Sequence, residues 1–173
     1  MPVLVAIAGP QASGKSTIAA ALGRALRDNA DRVAVIELDA IAAMALPTLP
    51  GWDTAHGIFE AVTGLWLLAD LTVVVAEGSG SAAEVDRLVA AAPADVDVIT
   101  VALTTDLESA YARALSDPTR GISKQYDFLE TVYARWPAEL ERIDPDLLLD
   151  TSRLDVGASL SALVQELDQR RRA

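Results

Sequence analysis

Apolar residues along this chain fall into two kinds of stretch, and the two kinds alternate. Some are short unbroken runs; in the others, apolar positions recur every three or four residues. Val3 to Ala8 is a run of strand length and partly β-branched. Ser16 to Asp28 follows with Ile18, Leu22 and Leu26 in a stripe at four-residue spacing, the mark of an amphipathic helix. "RVAVIEL" (Arg32 to Leu38) predicts a second strand, and "LTVVVAEG" (Leu71 to Gly78) a third. Between them, "DAIAAMALPTLPGWDTAHG" mixes Pro and Gly and predicts an irregular stretch before a helix over about Ile58 to Ala69. A short helix from Ala82 to Ala91, a strand over Val98 to Leu103 and a helix capped by Thr105 or Asp106 and running to Leu115 come next. After the polar loop "SDPTRGISKQ", Tyr126 to Arg142 reads as helix, kinked or split at Pro137. "DLLLDTS" supplies a fifth short strand, and Val156 to Arg170 a closing helix.

Five strands separated by helices predict an α/β fold whose parallel sheet is covered on both faces. Ligands of such sheets lie at the carboxyl ends of the strands. Interest therefore centres on Gly9 to Thr17 after the first strand, Glu37 and Asp39 after the second, and Glu77 to Ser81 after the third. At 173 residues, without repeat or linker, the chain is expected to form one domain.

The first of these ends reads "GPQASGKST" and satisfies G-x-x-x-x-G-K-[ST] through Gly9, Gly14, Lys15 and Ser16, in the strand–loop–helix context that motif requires. Glycines let the backbone curl around an anion, so N–H groups from Gly9 through Ala12, Ser13 and Gly14 and the helix N-terminus can face phosphates. Lys15 is placed to bridge the β- and γ-phosphates, Ser16 to ligate magnesium and Thr17 to reach the α-phosphate. The second end, "ELD", offers two carboxylates two residues apart: one can hold the metal through water, the other can orient and deprotonate a hydroxyl. Asp39 is the candidate for the latter and Glu37 for the former. At the third end, a run of Val leads to Glu77, a further candidate for the metal's water shell, and Gly78 and Gly80 leave room for a ligand to approach.

Charge narrows the partners. The net charge is −11 with acids dispersed along the chain, a surface that repels a phosphate backbone and argues against nucleic acid. Only two lysines occur, Lys15 and Lys124. The absence of cysteine removes disulfides, zinc–thiolate sites and thiol catalysis. "VLVAIAG" is too short for a signal core or a membrane span, so a cytoplasmic protein, monomeric or homodimeric and without a membrane partner, is expected. Cations near the chemistry must come from late in the chain. Arg120, with Lys124, flanks the polar loop, where a mobile arginine can neutralise charge on a transferring phosphoryl group. Arg113, on the preceding helix, is a second candidate, and Arg135 either binds an acceptor anion or pairs with Glu139 on the surface. Trp52 and Asp53 stand where an acceptor would dock. His56, the single histidine, is expected to be structural or solvated, and Trp66 to lie in the core.

With these residues in place the sequence resembles the small P-loop kinases over nearly its whole length. It is most similar to the group of shikimate kinases, gluconate kinases and chloramphenicol phosphotransferases, with a secondary likeness to uridine-kinase-like proteins. "ELD" matches the acidic pair after strand two of shikimate kinases, "EGSGS" is similar to their glycine-rich turn, Arg120 matches their lid arginine, and Arg135 falls where that family binds the acceptor carboxylate. The resemblance implies strand order 2-3-1-4-5, an acceptor region over about 40–70, a lid over about 116–126, ATP with Mg²⁺, and transfer of the γ-phosphoryl group to the hydroxyl of a small molecule. No Arg or Lys occurs between Arg32 and Arg87. That departs from the shikimate kinase pattern and suits a neutral or cationic acceptor better. A nucleoside kinase, or an NTP hydrolase or regulatory ATP-binding module, are the alternative readings.

Overall fold

The computed structural model describes residues 2–172. Its centre is a five-stranded parallel sheet of β1 (Val3–Ala8), β2 (Val33–Glu37), β3 (Val73–Glu77), β4 (Asp97–Thr104) and β5 (Leu147–Asp150), in the order β2-β3-β1-β4-β5. The helices are α1 (Lys15–Asp28), α2 (Leu38–Ala43), α3 (Trp52–Leu67), α4 (Ala82–Ala91), α5 (Leu107–Ser116), α6 (Tyr126–Ile143) and α7 (Val156–Arg172), with a short 3-10 turn at Ile122–Lys124. Every residue of β1 and β3 is buried, which is why both read as unbroken apolar runs rather than as alternating ones. Side-chain alternation then divides the core. Val3, Val5 and Ile7 pack with α1 and α7 through Ile18, Leu22, Leu163 and Leu167, while Leu4 and Ala6 pack with Ala55, Phe59 and Leu67 of α3.

Parallel pairing brings all the strand ends of interest to one edge. Ile7 stands beside Glu77, and Glu77 beside Glu37, so two carboxylates occupy neighbouring positions at the carboxyl ends of β2 and β3. The turn after β3 then meets the loop after β1. Gly80 has φ +92°, and a Cβ there would collide with the carbonyl group of Gly9.

The predicted strands and most helices lie where hydropathy placed them; three features differ. The stretch after β2 is ordered into α2, and α3 begins at Trp52 rather than at Ile58. The reason is an apolar stripe through Ala55 and Phe59 to Leu67, which outweighs the local cost of Gly57 and Gly64. Trp66 is not core: it is 44% exposed, one residue short of the stripe and turned away from the sheet. Pro137 does not split α6, which runs through it from Tyr126 to Ile143.

Two glycine substitutions separate these roles in denaturant unfolding. Gly80→Ala combines a left-handed backbone with a backbone collision and is expected to cost about 2 kcal/mol or more. Gly64→Ala, inside α3 with open space around its Cα, is expected to stabilise by roughly 0.5–1 kcal/mol.

Candidate functional site

β1 ends in a loop whose peptide planes are turned by side chains from distant parts of the chain. The Lys15 ammonium donates to the carbonyls of Gly9 (2.8 Å) and Pro10 (3.3 Å). The Tyr133 hydroxyl on α6 donates to Gln11 O at 3.0 Å. Arg113 on α5 donates to Ala12 O (3.4 Å) and Ser13 O (3.5 Å), and the Thr151 hydroxyl after β5 donates to Ser13 O at 2.8 Å. Every carbonyl from Gly9 to Ser13 thus accepts from a side chain: the first two from Lys15, which lines the cavity, and the other three from residues more than a hundred positions away. Two residues hold the required left-handed backbone, Ala12 (φ +63°) and Gly14 (φ +100°). Ala12 tolerates it because its methyl is buried among Ala110, Ala114 and Leu129. Gly9 has no room for a side chain: a Cβ would lie 2.8 Å from both Leu103 O and Ser13 Oγ. That Ser13 hydroxyl is buried and has no partner among the described residues.

One cavity opens over this loop and over the ends of β2 and β3. Lys15, Ser16, Asp39, Glu77, Gly78 and Arg120 all line it, together with Trp52 and His56. Asp39 sits in the first turn of α2 rather than on the strand, and is exposed to the cavity. Arg120 reaches in from the loop after α5, where Asp117 lies 3.3 Å from its Nε. Other expected residues stand apart. Glu37 and Thr17 line an adjoining opening that shares Asp39 and Arg120. Asp53 faces a neighbouring cleft that shares His56. Arg135 is exposed, in a separate groove beside Gly9 and Gly80. Arg113 is on the far side of the loop, lining a cavity with Gly14, Thr17 and Thr151; its guanidinium is spent on loop carbonyls and on Thr151, whose carbonyl it reaches at 2.7 Å.

The cavity floor is charged and dry. Lys15 Nζ lies 3.6 Å from Glu77 Oε1, and Ser16 Oγ donates to Glu77 Oε2 at 3.4 Å. Burial pushes the Lys15 ammonium below its ordinary value, against the opposing pull of Glu77 and Asp39. Burial likewise lifts Glu77 to about 7; Lys15 opposes this shift, and Asp39 and Glu37 add to it. Among the described residues, no group of three or more His, Cys, Asp or Glu could cage a metal ion. The donor set nonetheless fits magnesium of the kind that keeps its waters: a Ser16 hydroxyl beside a single carboxylate, with phosphates to complete the shell. Lys15 and Gly14 at the start of α1, both lining the cavity, likewise fit a polyphosphate.

Four residues here were not identified from sequence. Tyr133 and Thr151 act on the loop from 122 and 138 residues away, a distance that no local pattern spans. His56 lines the cavity instead of standing free in a loop, and its Nδ1 is hydrogen-bonded to Glu84. Glu84 carries a misleading signal. "SAAE" from Ser81 reads as a capping box, in which the acid would return to its own helix start. It bonds the Ser79 amide at 2.6 Å instead.

The raised Glu77 value fixes a pH dependence. A carboxyl held above its unfolded value contributes stability that is complete below about 4.5 and lost as pH rises through about 7. Measured with chelator and without nucleotide, the stability difference between wild type and Glu77→Gln should therefore be largest in acid and fall across that window. A flat difference would show that folding leaves the Glu77 carboxyl at its unfolded value.

No protein-family model and no curated protein sequence matches the chain. Solved structures do match. Shikimate kinase from Bacteroides thetaiotaomicron superposes with TM-score 0.68 at 14% identity, over 96% of this chain and 98% of that one. APS kinase from Mycobacterium tuberculosis, solved with AMPPNP and APS, gives 0.67 at 19%, over 96% and 98%. Shikimate kinase from Acinetobacter baumannii, in complex with shikimate, gives 0.66 at 17%, over 98% and 94%. At such identities the likeness is one of architecture, and it agrees with the strand order observed here: the chain has the fold of the small P-loop kinases.

Proposed function

We propose that this protein is an ATP-dependent kinase that phosphorylates a hydroxyl group of a small molecule. The observation that carries the reading is the convergence of Lys15, Ser16, Asp39, Glu77 and Arg120 on one cavity, although they come from four separate segments of the chain. Loop amides and Lys15 would bind the β- and γ-phosphates. Ser16, with Glu77 through water, would hold Mg²⁺, which shields charge on the phosphates. Asp39, exposed at the start of a helix above the loop, orients the acceptor hydroxyl and takes its proton. The acceptor oxygen then bonds to the γ-phosphorus as the bond to the β–γ bridging oxygen breaks, and ADP leaves. Arg120 neutralises charge on the moving phosphoryl group, and its position in the segment 117–123 suits a lid that excludes water. Gly78 and Trp52 line the acceptor side. Arg113 serves the donor by holding loop carbonyls rather than by touching the transferred group. No helix among the described residues is long and apolar enough to cross a membrane.

ADP formation with and without candidate acceptors tests the reading. Lys15→Ala should lower turnover by about a thousandfold or more, since it removes both the loop's tie and the phosphate's cation. Asp39→Asn should lower kcat by roughly a hundredfold or more, with ATP affinity changed less than about threefold. ADP release that is fast without any hydroxyl acceptor, and not accelerated by one, would make the protein a hydrolase instead.

A further inference from the structure

Beside the phosphate loop lies a buried pair that phosphoryl transfer does not require. Glu84 on α4 is 1% exposed, and its carboxylate fills the space against Gly78 where any Cβ would overlap it. Its Oε1 accepts from the Ser79 amide at 2.6 Å and the Ser79 hydroxyl at 3.2 Å; its Oε2 meets His56 Nδ1 on α3. A buried carboxylate needs donors on both oxygens, and here the second donor is the imidazole. His56 side-chain exposure is 23%, although Nδ1 is engaged. Its Nε2 has no partner among the described residues, and His56 lines both the cavity that holds Asp39 and Lys15 and the neighbouring cleft.

The surroundings say what Nε2 would meet. Three arginines lie around this side: Arg87, in the neighbouring cleft, donates through Nε to Glu60 at 2.7 Å, Arg120 pairs through Nε with Asp117 at the phosphate end, and Arg135 lines another groove. Asp39 and Asp53 face the two connected openings. The neighbouring cleft is therefore net acidic, with Asp53, Glu60 and Glu84 set against Arg87. An acceptor carrying a carboxylate, sulfate or phosphate would meet repulsion here, and one bearing extra hydroxyls or an amine would be held.

We propose that Glu84 fixes His56 in the tautomer with the proton on Nδ1, and that the Nε2 lone pair so presented selects a non-anionic, hydroxyl- or amine-rich acceptor over a hydroxy acid. This rests on the kinase reading for the reaction, but not for the imidazole's state. Glu84 is a positioning residue; His56 is the group that touches the acceptor.

Because His56 is the single histidine, one long-range proton–nitrogen correlation spectrum of the nitrogen-15-labelled full chain, in mildly alkaline buffer, reports its state without overlap. A neutral ring protonated on Nδ1 is expected. A ring protonated on Nε2, or on both nitrogens, overturns the proposal. Glu84→Gln sharpens the test. The Ser79 amide must keep an oxygen acceptor, so the new NH₂ group faces Nδ1 and should flip the ring to the Nε2–H tautomer; an unflipped ring shows that Glu84 does not set it. The wild-type spectrum decides the matter even where this variant fails to fold. ADP formation is then compared for inositol and glucosamine against shikimate and gluconate. Turnover of the first pair, with KM for the acceptor raised about tenfold in His56→Ala and KM for ATP within about twofold, supports the assignment. Preferential turnover of the acids overturns it. Absence of turnover with every compound, alongside the expected spectrum, counts against the kinase reading and leaves the imidazole's assignment standing.

Discussion

Everything at this site depends on five loop carbonyl oxygens being held by side-chain donors. A loop leaves its carbonyls outside the ladders of sheet and helix, and each of those needs a donor. Here the donors are Lys15 from the loop's own helix, Tyr133, Arg113 and Thr151. The left-handed Ala12 costs of order 1–2 kcal/mol, which its buried methyl and net gains of about 1 kcal/mol per hydrogen bond can offset. The late part of the chain acquires its meaning from this arrangement. α5, α6 and the turn after β5 extend the fold, and they also clamp the first loop from outside.

A second constraint is electrostatic. The chain carries 25 acids against 14 Lys and Arg, so it cannot attract phosphate by overall charge. It places one of its two lysines at the dry end of the sheet and opposes it with Glu77. Desolvation pushes both partners toward their neutral forms, and removal of either leaves the other buried without compensation. Glu77 cannot be assigned to metal or to lysine alone. It stands next to Glu37 in the sheet, 3.6 Å from Lys15, and accepts from Ser16, so any cation arriving at Ser16 alters the state of the whole group.

Legibility in the sequence followed distance along the chain. The strands, the loop motif and the acids Glu37 and Glu77 are local patterns that the structure places at the strand ends, whereas Asp39 lies just beyond, in the first turn of α2. The convergence of Asp39 and Arg120 with the loop was legible too, because strand order fixes which ends share an edge. Arg135 and Asp53 show the limit of that reasoning: each is near the site, but the rotation of α6 and of the early α3 turns it into an adjacent opening. The early start of α3 was hidden by Gly51 and Gly57, and with it the position of His56, which a loop assignment left in solvent. Glu84 was hidden more deeply, since its spacing from Ser81 satisfies a purely local rule that the folded chain does not use.

These differences separate the two sides of the cavity. The loop after β1 is pinned by ties across more than a hundred residues to its backbone carbonyls, and little can change there without disturbing it. The opposite side is built largely from one span, from Glu37 through α3 to Arg87, and meets the loop and the start of α1 where Gly80 crosses Gly9 and where Glu77 reaches Lys15 and Ser16. Most of its polar groups hang on α2, α3 and α4, with Glu77 at the end of β3. A span of this kind can change the chemistry it recognises while the phosphate cradle stays fixed. The same architecture is seen with APS and with shikimate in its structural neighbours, and holds here a cleft in which Asp53, Glu60 and Glu84 stand against a single arginine.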